Sequence, residues 1–193
     1  LIPGHPGIID LGARLTRADG KAVYRYLPKS IGDITVNWAR QSVIAGYSDN
    51  VELILRGDLT QFPFLKGDGS FSVDARIKDG VIDYVQGWPR IEGIQARMLF
   101  KGKVMEVNSD QACIYGAALS SIKAVIPDLL HHEEQLHVEG EANGPVQDFI
   151  RFANFSPVGD QLRGVTDTLD GSGPIRLALK MQIPLQHAEN TTV

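Results

Sequence analysis

Cysteine is almost absent from this sequence: Cys113 stands alone, so no internal disulfide can staple the chain. In its apolar run Cys113 reads as a small buried hydrophobe, and cysteine use says nothing about compartment. Also missing is any uninterrupted apolar stretch of the roughly 18 to 20 residues that a membrane-spanning helix needs, and no charged segment with a following apolar core opens the chain. The chain as given is therefore expected to be soluble, and its abrupt start at Leu1-Ile2-Pro3-Gly4 leaves room for an anchor outside it. Clustered cations are lacking too. The net charge is -4 and the lysines and arginines are scattered, which argues against nucleic acid, because phosphate-tracking surfaces need concentrated positive charge.

Signatures of catalysis are equally scarce. No G-x-S-x-G turn occurs to hold a serine nucleophile. His131, His132 and His137 flank Glu133 and Glu134, but a zinc-binding helix needs histidines four apart on one face, and this segment runs into an alternating strand. A solvated loop is the better reading, so no metal and no cofactor is expected. Gly67-Asp68-Gly69 and Gly171-Ser172-Gly173 lead into strands rather than into a helix, and so read as turns instead of phosphate cradles. Glu139 and Glu141 alternate onto the solvent face of a strand. The chain is expected not to be an enzyme.

What the sequence does have is a composition able to form a core, with 43% hydrophobic and 22% charged residues, and a dominant period of two. In Phe71-Ser72-Val73-Asp74-Ala75-Arg76-Ile77 the odd positions are apolar and the even ones polar, the pattern of a strand with one wet face. Asp79-Gly80 reads as a hairpin turn into Val81-Ile82-Asp83-Tyr84. Ile94 to Phe100, a turn at Lys101-Gly102-Lys103, and Val104 to Val107 predict another hairpin. Further strands are predicted over 7–17, 22–27, 51–59, 112–115, 119–126, 136–142 and 175–183. Two short helices complete the pattern. One runs over 35–45 with Val36, Ala39 and Val43 on one face; the other is capped by Gly144, takes Pro145 into its first turn, carries Val146, Phe149, Ile150 and Ala153 on one face, and stops at Ser156-Pro157.

The fold expected from these signals is mainly β: a long curved antiparallel meander of about ten strands, an open groove or slab, with two short helices. Residues 1–185 form a single β-rich module and 186–193 a polar tail. Phe62-Pro63-Phe64 and Trp88-Pro89 belong at strand ends, since proline cannot donate to a ladder.

The order of several short motifs is similar to one known family. Trp38-Ala39-Arg40 ending at Ile44-Ala45-Gly46, Gly57-Asp58-Leu59 leading to Phe62-Pro63-Phe64, Gly69-x-Phe71, Tyr84 and Trp88-Pro89 come first. Gly140 through the Pro145 to Phe155 helix, then Gly173-Pro174-Ile175-Arg176-Leu177 and Ile183-Pro184-Leu185, continue the series. Together they resemble the YhdP-type branch of the AsmA-like family over about 6–185. That resemblance implies a fragment of a larger periplasmic chain, whose parent is anchored in the inner membrane of a Gram-negative bacterium. It further implies likeness to bridge-like lipid transfer proteins, in which an apolar β-groove shields acyl chains between inner and outer membrane.

The expected partners are then phospholipid or another acyl-chain lipid, adjacent segments of the same parent chain, and envelope proteins. Strand alternation, independently of the resemblance, supplies the groove candidates: Phe71, Val73, Ile77, Ile94, Met98, Leu136, Val138, Ile175, Leu177 and Leu179. The same residues would equally serve a closed core, and the alternative function is a structural or protein-binding β scaffold of the envelope without lipid cargo.

Overall fold

The computed structural model describes residues 6–27, 32–130, 134–155 and 171–185. The histidine-rich 131–133, the helix stop at 156–157 and the tail 186–193 singled out above lie outside the described residues. Ten strands form one antiparallel sheet: β1 (Ile8–Leu15), β2 (Ala18–Asp19), β3 (Val43–Ser48), β4 (Val51–Asp58), β5 (Gly69–Ile82), β6 (Ile91–Lys101), β7 (Val104–Ile114), β8 (Ala117–Ile126), β9 (Gln135–Pro145) and β10 (Pro174–Pro184). Two helices, α1 (Asp33–Ser42) and α2 (Val146–Asn154), interrupt the series.

The strand order is β1-β4-β5-β6-β7-β8-β9-β10, with β2 on β3 and β3 on β5. β4 pairs with the first half of β5, through Ala75, and β3 pairs with its second half, from Lys78 to Ile82. β3 and β4 are thus two pieces of one broken strand. At the break the Ser48 hydroxyl accepts from the Asn50 amide at 3.3 Å, so that amide finds a partner, and the Asn50 carbonyl accepts from both the Ser48 hydroxyl and the Arg76 amide at 3.1 Å. From β5 onward the sheet is a plain meander, as the spacing of turn signals predicts.

Several local expectations are corrected. Asp79-Gly80 is not a hairpin: β5 continues to Ile82, with a register shift between Ile77 and Gly80 and Asp79 at φ 50°. A residue pair that tolerates positive φ suits a bulge as well as a turn, and here β3 and β6 flank the strand and hold it extended. The expected helix over 35–45 begins and ends earlier, at Asp33 and Ser42, and Val43–Ser48 becomes β3. Residues 78–82 of β5 offer an open ladder there, and the β-branched Val43 and Ile44 suit a pleated surface better than a helix end. Residues 22–27, expected to be a strand, lie in and just beyond a 3-10 helix over Gly20–Arg25, whose first turn is capped by the Asp19 carboxylate accepting from the Lys21 amide at 2.9 Å. Residues 112–115 are no separate strand but mostly the end of β7. Pro145 caps α2, with Gly144 still in β9, and Cys113 is half-buried rather than buried.

A sheet with no second sheet over it buries little. Among the described residues no side chain is fully enclosed, and the hydrophobic core cluster is Phe100, Ile126 and Leu129, with Leu27, Val73, Met98, Met105, Leu136 and Leu185 packed around it. Phe62 meets Phe64 and Phe71 edge to face at ring separations of 5.8 and 5.1 Å where β4 turns into β5. Tyr84, Trp88 and Phe152 form a second aromatic group that ties the β5–β6 connection to α2. Both proline-aromatic motifs therefore sit at strand ends.

Candidate functional site

Directly paired residues of an antiparallel sheet share a face, so the register identifies what each face presents. One row crosses the whole sheet without a polar member: Leu15, Val51, Ala75, Met98, Val107, Ala124, Val138 and Met181, each paired to the next. Beside it run Ala13, Leu53, Val73, Phe100, Met105 and Ile126, with Leu136 paired to Ile183 on the far strands. Ala112, Leu119, Ala142 and Leu177 form a further apolar row across β7 to β10.

The opposite face is laced with ion pairs between neighbouring strands. Arg14 pairs with Glu52, Arg56 with Asp10, Arg97 with Asp74, Lys123 with Glu106, Arg176 with Glu141 and Lys180 with Glu139. Each is worth little alone in water, but together they keep this face wet and the other one distinct. The Arg97 guanidinium holds the Asp74 carboxyl below its ordinary value. Because the folded value is depressed, the contribution of this pair is present above the unfolded value near 3.9 and is lost as pH falls through the folded one. Asp74→Asn is expected to lower stability by about 0.5 kcal/mol at neutral pH and by nothing in strong acid, in urea unfolding at both pH values.

The ten residues singled out in the sequence all lie on the apolar side by strand alternation, in two groups. Phe71, Val73, Ile77, Ile94 and Met98 sit on β5 and β6, where Val73 faces Phe100 and Met98 faces Ala75 and Val107. Leu136, Val138, Ile175, Leu177 and Leu179 sit on β9 and β10. The groups are separated by β7 and β8, and Met105, Val107, Ala124 and Ile126 join them. Those linking residues escaped the sequence reading because their short runs do not fix which parity faces inward; only the pairing does.

The two groups differ in cover. Ile94 is 8% exposed, and near Phe100 the face is closed by Leu27, Leu129 and Leu185. α1 bridges the sheet's connections, with the Thr35 hydroxyl 3.5 Å from the Glu134 carboxylate and the Trp38 indole donating to the Tyr84 carbonyl at 2.9 Å. Burial there raises the Tyr84 hydroxyl well above its ordinary range, so it stays neutral. On β10, by contrast, Leu177 and Leu179 are 43% and 38% exposed. β1 and β10 are the outer strands of the main strand order, and the short β2 is a further edge beside β3.

Among the described residues no three histidine, cysteine, aspartate or glutamate side chains converge as metal ligands, and no helix is long and apolar enough to cross a membrane. Chemically, the arrangement offers an apolar surface.

A family model described as YhdP protein matches residues 2–193. Over 174 residues the chain is 24% identical to the intermembrane phospholipid transporter YhdP of Escherichia coli strain K12, an alignment covering 90% of this chain. The chain spans 14% of that relative's length. No solved structure matches it.

Proposed function

Because the chain belongs to the YhdP protein family, we propose that it is a non-catalytic segment of an envelope lipid-transport protein, its apolar face shielding phospholipid acyl chains between inner and outer membrane. The observation that carries this reading is the row from Leu15 to Met181, which crosses every strand of the meander without a charge or hydroxyl. Strands about 4.8 Å apart make that row roughly 30 Å long, and hydrocarbon laid along it is removed from water at about 0.8 kcal/mol per CH2 without needing any polar partner. Movement along such a track involves no bond making, so no catalytic residue or cofactor is called for.

On this reading Phe71, Val73, Ile77, Ile94, Met98, Leu136, Val138, Ile175, Leu177 and Leu179 belong to the lipid-facing surface, and the module lies in the periplasm within a parent chain anchored in the inner membrane. The outer strands β1 and β10 favour a second role, a scaffold that pairs by strand addition, with adjacent segments of the parent chain as the occupants. Mass spectrometry of organic extracts from gently purified protein tests the main reading. Glycerophospholipid enriched over a β-protein control is expected; an extract indistinguishable from the control would contradict it.

A further inference from the structure

Four arginines of the outer face, Arg14, Arg56, Arg97 and Arg176, sit on carboxylates of neighbouring strands. Arg25 and Arg40 differ. Arg25 closes the 3-10 helix Gly20–Arg25, Arg40 lies in the last turn of α1, and both approach the ring of Tyr24, with guanidinium carbons 5.5 and 4.7 Å from its centroid. Arg25 Nε donates to the Tyr24 hydroxyl at 3.1 Å, which orients the guanidinium, and its terminal amino groups have no hydrogen-bond partner among the described residues. Both arginines are exposed, and neither forms an ion pair with a carboxylate among the described residues. Asp19 acts on Arg25 only through space.

From this convergence we infer that Arg25 and Arg40, positioned by Tyr24, bind the phosphate of a lipid headgroup at the margin of the apolar face; the inference rests on the lipid-shielding reading. Two guanidinium groups drawn to one ring concentrate positive charge around it, and an anion bound beside that ring is attracted by both. Guanidinium groups match phosphate oxygens in paired hydrogen bonds, and two of them outweigh the single charge of a phosphodiester. The place is right for an amphiphile. Two residues beyond Arg25, Leu27 packs against the Phe100, Ile126 and Leu129 cluster, so charge and apolar cover are adjacent along the chain.

The test titrates the protein with dihexanoylphosphatidylglycerol below its micelle concentration, with dihexanoylglycerol, and with inorganic phosphate. Affinities come from calorimetry, and the arginine Nε–H signals report the site by NMR. The phospholipid is expected to bind about tenfold tighter than the neutral diglyceride and to shift the Arg25 and Arg40 signals, as one or two charge-assisted hydrogen bonds would produce. The double variant Arg25→Gln/Arg40→Gln erases that margin and leaves diglyceride affinity unchanged; Tyr24→Phe, which keeps the ring but removes the acceptor for Arg25, loses part of it. Arg97→Gln loses none.

Equal affinity for the two lipids in the native protein overturns the headgroup site while leaving the apolar-face reading intact. Inorganic phosphate binding as tightly as the phospholipid overturns the lipid assignment in favour of a free-phosphate site. Failure of both lipids to bind overturns the headgroup site and the lipid-shielding reading together.

Discussion

Met98→Glu is expected to weaken acyl-chain binding by roughly thirty- to hundredfold, the equivalent of about 2–3 kcal/mol for a carboxylate left beside hydrocarbon without a partner. Met98 stands in the middle of the uninterrupted row, between Ala75 and Val107, so a chain lying along that row has to pass it. The matched control is Leu99→Lys, one residue along the same strand and on the opposite face, where Asp74 and Glu106 pair across from it. That charge joins a surface already crossed by ion pairs and is expected to leave binding within about twofold of the native protein. Fluorescent fatty-acid displacement measures both.

The second large effect concerns stability. Phe100 is 8% exposed and touches the small cluster with Ile126 and Leu129, each 3% exposed. Truncating a buried phenylalanine removes its transfer free energy and leaves a cavity, for a cost of about 3–5 kcal/mol. With so few enclosed side chains among the described residues, that amounts to a large share of a domain's usual stability of about 5–15 kcal/mol. Phe100→Ala is expected to lower the urea midpoint steeply. Ile8→Ala, at a side chain 83% exposed, is expected to change stability by less than about 0.5 kcal/mol.

Much of this architecture is legible in the sequence because a half-buried strand writes its two faces as alternation. Phe71 to Ile77 and Ile94 to Phe100 show it plainly, and both are strands in the structure. Signals that serve two geometries are not legible in the same way. Asp79-Gly80 satisfies both a hairpin and a bulge, and only β3 and β6 on either side decide between them. Val43–Ser48 follows a helix without a break, and its strand state depends on a ladder offered by residues about 35 positions later.

The site follows the same logic. Which residues point inward on one strand is local information, so the ten candidates could be named. That Val107 and Ala124 complete the row between Met98 and Val138 is a property of register, which no single strand carries. Tyr24, Arg25 and Arg40 are still further from view: Arg40 is separated in sequence from the other two and meets them only because α1 packs on the 3-10 helix.

Facial photocrosslinking tests the central claim most directly. With a photoreactive phenylalanine analogue at Val138, on the apolar row, or at His137, its outward neighbour, irradiation of cells producing the protein is predicted to give a phospholipid adduct at 138 and none at 137. Adducts of equal yield at the two positions, or none at 138, would contradict it.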